Sequence, residues 1–200
     1  MFERPSVSIV VTTYNRKKLL KETIDSILNQ TFQDFELLVI DNFSDYNFFS
    51  HMDSFYDNRI RPFQNQNNSI IAVNRNFGIK KTKGEYIAFC DDDDIWVEEK
   101  LSIQINAMLL NPKIIISYGY AKKIGPKTHF GNNNYGVLYR TMALTKKKLM
   151  KRNTIILSTA LVKSDLIKSE LFNESKELVG VEDFFLWNAI MKNGKFCLIK

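Results

Sequence analysis

Cysteine is scarce in this sequence, which contains only Cys90 and Cys197 among its 200 residues. The two lie far apart and match no spacing that is typical of a metal-binding knuckle or a disulfide framework. The sequence therefore argues against a disulfide-stapled fold and against a cysteine-ligated zinc site. We interpret both cysteines as small buried hydrophobic residues.

Glycine is also infrequent, with 8 residues, and none of them builds a phosphate-binding loop. The patterns Gly-x-Gly-x-x-Gly and Gly-x-x-x-x-Gly-Lys-Ser/Thr are both absent, which disfavours a dinucleotide enzyme and a P-loop nucleotidase. The acid spacing of an EF-hand calcium loop is absent as well. Since zinc-finger spacing, an RNP1-like motif and a basic zipper are also missing, we expect no nucleic-acid partner.

Long hydrophobic runs are missing too, and none approaches the length that spans a bilayer. The first residues, MFERPSVSIVV, lack the layout of a signal peptide. The expected location is the cytoplasm, with peripheral association at the inner face of the cell membrane left open. The composition, 44% apolar and 25% charged, is that of a globular chain that can bury a sizeable core.

Basic residues outnumber acidic ones, and the formal net charge is +6. The densest basic run consists of residues 146–148 and 151–152. Such a run suits a polyanion, an anionic membrane surface or a phosphorylated substrate. A solvated face around Leu149 and Met150 explains the same run, and the sequence leaves both interpretations open.

The first half of the chain alternates between strand-like and helix-like patterns. Strands are predicted at 7–11, 35–40, 59–63 and 86–90, and helices at 20–28, 45–57, 71–81 and 97–110, the first of them capped by Asn15. This alternation predicts an α/β fold of Rossmann-like type, in which helices flank a mostly parallel central sheet.

The second half of the chain is less regular. Further strands are predicted at 114–120 and 154–162, a loop at 122–140, and a helix at 181–192 that begins after Gly180. Because no internal repeat and no low-complexity linker divides the chain, we predict a single domain over residues 1–200.

Four consecutive carboxylates, Asp91–Asp94, directly follow the fourth predicted strand, and the first two strands end in the polar segments 12–15 and 41–42. Ligands of parallel α/β sheets bind beyond the carboxyl ends of the strands, so we expect all three segments to face one crevice. Mg²⁺ or Mn²⁺ would relieve the repulsion among the acids and complete its shell with phosphate oxygens and water. A solvated acidic turn is the alternative.

Four segments resemble, in order and approximate spacing, those of family 2 glycosyltransferases. They are VSIVVTTYNR (7–16), SILNQTFQDFELLVIDN (26–42), NRNFGIKKTKGEYIAFCDDDDIW (74–96) and VEDFFLW (181–187). The resemblance spans nearly the whole chain. It implies the GT-A fold, inversion at the anomeric carbon, and Mn²⁺ or Mg²⁺ held at an Asp-x-Asp motif.

The resemblance also implies the substrates. The donor would be a nucleotide-diphospho-sugar, a UDP-sugar first of all, and the acceptor a glycan or a lipid-linked sugar. The product would belong to a bacterial surface polysaccharide such as capsule, O-antigen or lipooligosaccharide. Matched to the family's Asp-x-Asp motif, Asp93 and Asp91 would bind the metal, and Asp91 or Asp92 would face the ribose and the metal's water shell.

Five further residues match positions that line the donor site in the family. The resemblance places Thr12 and Tyr14 beside the nucleobase and makes Asp41 the acceptor of a hydrogen bond from that base. Arg75 and Asn76 match the lining of the donor pocket, although Arg75 could instead pair with one of the acids.

Glu182-Asp183 resembles the family's acidic pair at the head of a helix. The resemblance implies a general base there, with Asp183 as the expected residue and Glu182 in reserve. Backbone N–H groups at the helix N-terminus would orient this carboxylate and lower its pKa. A charge that only complements the helix dipole is the alternative.

The chain departs from the family pattern in two places. After the second strand the family's common Asp-Asp-Gly-Ser is replaced by Asp41-Asn42-Phe43-Ser44. The chain also ends at Lys200, where family members usually continue, so we expect it to lack C-terminal elements. Residues 1–110 would then bind the nucleotide-sugar, and residues 111–200 would form the acceptor side.

Two rival functions stay open. A nucleotidyltransferase shares such a sheet and an aspartate-bound metal, but residues 12–16 lack the glycine-rich phosphate loop that it would normally carry. A non-catalytic nucleotide-sugar-binding protein would have a decayed site, whereas Asp91, Asp93 and Asp183 are all present.

Overall fold

The computed structural model describes residues 4–122, 138–139, 151 and 153–199. The strands in these residues are β1 (Val7–Thr13), β2 (Phe35–Asp41), β3 (Ile60–Gln64), β4 (Tyr86–Asp91), β5 (Ile114–Tyr118), β6 (Ala121–Lys122), β7 (Leu138–Tyr139), β8 (Leu161–Lys163) and β9 (Lys195–Leu198). The α-helices are α1 (Lys17–Leu28), α2 (Phe48–Asp53), α3 (Ile71–Lys81), α4 (Lys100–Leu110), α5 (Ser164–Ser169) and α6 (Glu182–Ile190).

Seven strands form one central sheet in the order β3-β2-β1-β4-β8-β5-β9. Neighbouring strands run parallel except at β8, which is antiparallel to both β4 and β5. The short strands β6 and β7 pair separately. The prediction of a mostly parallel sheet flanked by helices is confirmed, and strands from both halves of the chain share that sheet.

Helices cover both faces of the sheet and bury its apolar side chains. On one face, alternate residues of β1 such as Val7 and Ile9 belong to a buried cluster with Leu20 and Ile24 of α1. On the other face, Val10 belongs to a second cluster that includes residues of α3 and α6. Each fully buried aliphatic side chain contributes about 1.5–3 kcal/mol, so this two-sided burial holds the strands in a fixed register.

That register brings the polar strand ends together. Thr13 of β1 lies opposite Asp41 of β2, and Thr12 lies opposite Asp91 of β4. Adjacent strands are spaced by about 4.8 Å, which puts Asp41 and Asp91 roughly 10 Å apart across β1. The prediction that these acids share one edge of the sheet is confirmed.

Several predicted elements differ from the structure in their extent. The strand predicted at 154–162 is confined to β8, because residues 157–159 form a 3₁₀ turn instead. The Ser158 hydroxyl in this turn accepts a hydrogen bond from the Asp91 N–H, and its carbonyl accepts one from the Trp96 indole. Its polar groups therefore bind the end of β4. The helices predicted at 45–57 and 97–110 are shorter, as α2 and α4 show.

The sequence pattern predicted that Asn15 caps the first helix, but Asn15 does not do so in the structure. Its backbone adopts a positive φ of 55°, and α1 begins two residues later. The Asn15 side chain instead donates to Asp45 and accepts from the Asp45 N–H. Asn15 thus ties the loop after β1 to the loop after β2.

Two expectations fall largely outside the described residues. Most of the loop predicted at 122–140 does so, apart from β7 and the end of β6. The basic run at 146–152 does so as well, except for Lys151, which is exposed. In the part of the chain that the structure describes, no helix has both the length and the apolar composition to cross a membrane.

Gly78 lets α3 lie close against the sheet. A Cβ atom at this position would be 2.6 Å from Cγ1 of Val10 and 3.0 Å from Cδ1 of Ile40. Both neighbours are buried side chains in the sheet, so a larger residue would push the helix outward.

Gly78→Ala should therefore destabilise the protein although alanine favours helix formation. The gain in helix propensity is about 1 kcal/mol, whereas overpacking costs about 1–3 kcal/mol, and we expect a net loss. Urea unfolding measures the difference. Gly119→Ala is the control, because a Cβ there meets no atom within 4 Å. A Gly78→Ala protein as stable as the control variant would contradict the close packing.

Candidate functional site

The four acids after β4 separate into an outward and an inward set. Asp91 and Asp93 keep 39% and 47% of their side-chain surface exposed. Asp92 is buried, and burial raises the pKa of both Asp92 and Asp94 above the ordinary value. The outward pair is therefore the part of the run that can meet a ligand.

Asp92 is held inside the protein by two neighbours from the end of β1. The Thr13 hydroxyl donates to it at 2.7 Å, and Nη1 of Arg16 lies 3.1 Å from its Oδ1. The expected contact of Asp92 with a ribose or a metal's water shell does not fit this inward position. The carboxylate instead fastens the end of β4 to the end of β1.

Arg75 of α3 bridges two carboxylates from different parts of the chain. Its Nη2 donates to Oδ1 of Asp91 at 2.8 Å, and its Nη1 donates to Oε1 of Glu182. The guanidinium is 7% exposed and also lies over the ring of Phe172. Arg75 and Glu182 are both 7% exposed, and breaking such a buried ion pair by removing one partner typically costs about 3–5 kcal/mol, so this contact is the firm part of the bridge.

Glu182 uses both of its carboxylate oxygens within the protein. Besides Arg75, it accepts a hydrogen bond of 2.6 Å from the N–H of Gly180. The side chain is buried. The expectation of Glu182 as a reserve base is therefore not supported by its position, and Glu182 instead orients Arg75 and the start of α6.

Asp183 follows Glu182 in the first turn of α6 but has different surroundings. Its Oδ2 accepts a hydrogen bond of 2.9 Å from the Asn153 amide, and its Oδ1 accepts one of 2.7 Å from the N–H of Phe184. Burial raises the pKa of Asp183 most, and the charge of Glu182 adds to this, while the two hydrogen bonds and Arg75 lower it.

The balance for Asp183 is a raised pKa. The Phe184 N–H at the start of the helix does lower the pKa of Asp183, as expected, but desolvation of the carboxylate outweighs this and the net pKa is raised. A carboxylate with a raised pKa is a stronger proton acceptor once it is ionised.

A cleft of about 380 Å³ lies where the chain leaves the carboxyl ends of β1, β2 and β3. It is lined by Tyr14, Asn42, Phe43, Gln66, Asn68 and Ser69. The two aromatic side chains are half exposed, so each has surface available to a planar ligand. Tyr14 was expected here from the sequence, whereas Thr12 is buried in β1.

Asp41 directly precedes the lining residues Asn42 and Phe43 but does not line the cleft itself. Its carboxylate is fully buried and accepts hydrogen bonds from the backbone and hydroxyl of Ser44 and from the Gln64 amide. The expected hydrogen bond from Asp41 to a nucleobase does not fit this position. Asp41 instead shapes the turn in which Phe43 takes a positive φ of 57°. Family 2 glycosyltransferases, which this segment resembles, commonly have glycine at this position.

Asn76 is also used inside the protein rather than in a donor pocket. Its amide exchanges hydrogen bonds of 2.8 and 3.0 Å with the backbone of Phe172 and donates to Glu174. Since both amide hydrogens and the oxygen have protein partners, Asn76 fastens α3 to the segment before α6. Its expected role in lining the donor pocket is not supported.

Asp91 and Asp93 have the chemistry to hold a hard divalent cation. Each has one oxygen bound to an arginine and one oxygen with no protein partner among the described residues. The part of the chain that the structure describes contains no group of three His, Cys, Asp or Glu side chains that could hold a metal. Two carboxylates are nevertheless sufficient for Mg²⁺ or Mn²⁺ when a bound diphosphate supplies further oxygens.

Sequence reasoning missed several residues of this site: Arg16, Asn153 and the cleft residues Phe43, Gln66, Asn68 and Ser69. Arg16 and Phe43 follow strand ends, and that position was the signal that could have found them. Asn153 had no such signal, because its contact with Asp183 spans 30 residues.

Residues 8–168 match the family model described as "Glycosyl transferase family 2". The chain is similar to the UDP-Glc:alpha-D-GlcNAc-diphosphoundecaprenol beta-1,3-glucosyltransferase WfgD of Escherichia coli, with 33% identity over 96% of this chain and 72% of that protein. WfaP of Escherichia coli, which is named for the same glucosyltransferase activity, is 32% identical over 94% of this chain and 71% of its own length.

Solved structures with a similar fold are less similar in sequence. TarS residues 1–349 of S. aureus in complex with UDP-GlcNAc has a TM-score of 0.73 at 22% identity, over 97% of this chain and 56% of that chain. The mannosyltransferase PcManGT from Pyrobaculum calidifontis, in complex with GDP-Man and Mn²⁺, has a TM-score of 0.71 at 17% identity, over 99% and 55% of the two chains. The chain thus spans little more than half the length of these two solved chains.

A carboxyl titration followed by NMR tests the surroundings of Asp183. We expect its pKa to lie above the ordinary value of 3.8, and to rise further in Asn153→Ala, because that variant loses a hydrogen bond to the charged form. Asn188→Ala is the control, since this amide donates to the Phe184 carbonyl and not to Asp183. A lower pKa in Asn153→Ala than in the wild type would contradict the assignment.

Proposed function

The chain belongs to glycosyl transferase family 2 and has the GT-A fold, and from this premise we propose that it transfers a sugar from a nucleotide-diphospho-sugar to an acceptor hydroxyl. One observation carries the proposal further than the family does. Arg75 joins Asp91, an outward acid at the donor edge, to Glu182, the neighbour of Asp183. A donor site and a proton acceptor are thereby anchored to the same side chain.

The cleft at the ends of β1, β2 and β3 is the proposed nucleobase site. Tyr14 and Phe43 offer aromatic faces for stacking, and Asn42, Gln66, Asn68 and Ser69 offer polar groups that can read the edge of a base. WfgD and WfaP are both named for UDP-Glc, and the TarS structure is a complex with UDP-GlcNAc. We therefore propose a UDP-sugar as the donor, and a GDP-sugar, as in the PcManGT complex, is the alternative.

Asp93 and Asp91 are the residues that would hold Mn²⁺ or Mg²⁺. Their exposed, partly unpaired oxygens fit a cation whose remaining ligands come from the donor. When bound, such a cation would neutralise the negative charge on the departing nucleoside diphosphate. The protein's own part is to hold two carboxylates at the end of β4 against their mutual repulsion, with Arg75 and Arg16 as counter-charges.

Asp183 is the proposed general base. The Asn153 amide and the Phe184 N–H each bind one of its oxygens, which fixes the carboxylate and leaves lone pairs on both atoms. Asp183 would take the proton of the acceptor hydroxyl as that oxygen attacks the anomeric carbon on the side opposite the leaving diphosphate. A direct displacement of this kind inverts the configuration at that carbon.

The acceptor is proposed to be a sugar linked to a lipid diphosphate. Both WfgD and WfaP are named for a GlcNAc-diphosphoundecaprenol acceptor, and the chain covers about seven-tenths of each of them. We place the reaction in the synthesis of a bacterial surface polysaccharide. A lipid-linked acceptor would bring the protein to the cytoplasmic face of the membrane as a peripheral protein.

Binding of the nucleotide should require a divalent cation and Asp93. Without a cation the diphosphate would approach two outward carboxylates and be repelled. Isothermal calorimetry with UDP is therefore expected to show binding with Mn²⁺ and a loss of affinity of at least about tenfold with EDTA or in Asp93→Asn, roughly one charge–charge interaction. The control is Asp25→Asn, which removes an exposed carboxylate that pairs with Lys21 on α1. Equal affinities with Mn²⁺ and with EDTA would rule out the metal site.

Loss of Asp183 should stop transfer while donor binding persists. A general base acts in the transition state, so Asp183→Asn is expected to lower kcat by about 10²–10⁴-fold with little change in donor affinity. Sugar transfer to a lipid-linked acceptor and UDP-sugar binding are measured on the same protein. Glu182→Gln serves for comparison, since it should weaken the Arg75 bridge and lower the stability of the fold. If Asp183→Asn transfers sugar at nearly the normal rate, the base lies elsewhere.

A further inference from the structure

Arg16 places one guanidinium nitrogen between two carboxylates of the acidic run. Its Nη1 lies 3.1 Å from Oδ1 of Asp92 and 2.8 Å from Oδ2 of Asp93. Arg16 directly precedes α1 and follows the end of β1, so it belongs to the same edge of the sheet as the acids. Its side chain is half exposed, in contrast to the buried Arg75.

The two carboxylates that Arg16 contacts are held to different degrees. Asp92 is buried and also accepts a hydrogen bond from Thr13, so its position does not depend on Arg16 alone. Asp93 is half exposed, and Arg16 is its only side-chain partner among the described residues. The contact with Asp93 is therefore the exchangeable one, and an exposed arginine can leave it without opening the core.

A divalent cation and Arg16 would compete for Asp93. Both are attracted to the same carboxylate, and two positive groups bound to one carboxylate are close enough to repel each other. A diphosphate changes the balance, because its oxygens are strong bidentate partners for a guanidinium and are also ligands for the cation. Once the diphosphate is present, both positive groups can be satisfied at the same time.

We infer that Arg16 makes cation binding at Asp93 conditional on the nucleotide diphosphate. In the nucleotide-free protein Arg16 occupies Asp93 and keeps the affinity for a free cation low. When the diphosphate binds, the guanidinium turns to the phosphate oxygens and leaves Asp93 to the cation. By thermodynamic linkage, the cation must strengthen nucleotide binding by the same factor by which the nucleotide strengthens cation binding. The inference rests on the proposed metal site and assigns Arg16 a positioning role.

Binding of Mn²⁺ alone, followed by the EPR signal of the free ion, tests this inference. Arg16→Gln should bind Mn²⁺ without nucleotide roughly tenfold more tightly than the wild type, as expected for removing a like charge about 5 Å away in water. UDP should then strengthen Mn²⁺ binding to the variant by a smaller factor than in the wild type. Arg16→Lys keeps the charge and should return both quantities toward wild-type values.

A matched variant separates the local effect from the change in net charge. Lys18→Gln removes one charge from an exposed position on α1 and should change Mn²⁺ affinity by less than about twofold, since solvent screens it. Mn²⁺ binding to Arg16→Gln that is equal to or weaker than in the wild type overturns the inference, as does an unchanged effect of UDP.

The fate of the proposed metal site is read from Asp93→Asn in the same assay. Loss of Mn²⁺ binding in the presence of UDP supports the metal site. If Arg16→Gln then binds Mn²⁺ like the wild type, the inferred role of Arg16 is wrong and the metal site stands. Retention of Mn²⁺ and UDP binding in Asp93→Asn overturns the site and the inference together.

Discussion

The bridge from the buried Arg75 to Asp91 and Glu182 is the interaction on which the rest of the site depends. It connects the consecutive elements α3 and β4 to the start of α6, which follows about 90 residues later in the sequence. A buried glutamate is tolerated because it is paired, and the pair positions the next residue, Asp183. The donor edge and the proposed base are therefore held in one geometry by a single guanidinium.

Charge balance explains how the acids can gather at one edge of a basic protein. Each outward carboxylate has one arginine partner, Arg75 for Asp91 and Arg16 for Asp93. The two arginines differ in burial, so one contact is permanent and the other is open to exchange. The edge is thus stable before a ligand binds, and it still offers carboxylate oxygens to a cation.

The sequence predicts the sheet and its ligand edge well because both depend on local patterns. The buried run in β1 and the apolar spacing of α1 are visible without any knowledge of tertiary contacts. The internal role of Asn76 was not predictable in this way, because Asn76 bonds to a segment almost 100 residues away. Likewise the isoleucines of 154–162 look like a strand, and only the contacts of Ser158 with the end of β4 explain the 3₁₀ turn.

The central claim is that the acids after β4, the cleft at Tyr14 and the base Asp183 form one transferase site. Anomalous diffraction at the manganese edge, from crystals of the chain with UDP and Mn²⁺, tests it most directly. The account predicts a manganese peak at the carboxylates of Asp93 and Asp91, with the uracil against Tyr14 and Phe43. A manganese peak away from these carboxylates, or UDP bound outside the cleft, would contradict it.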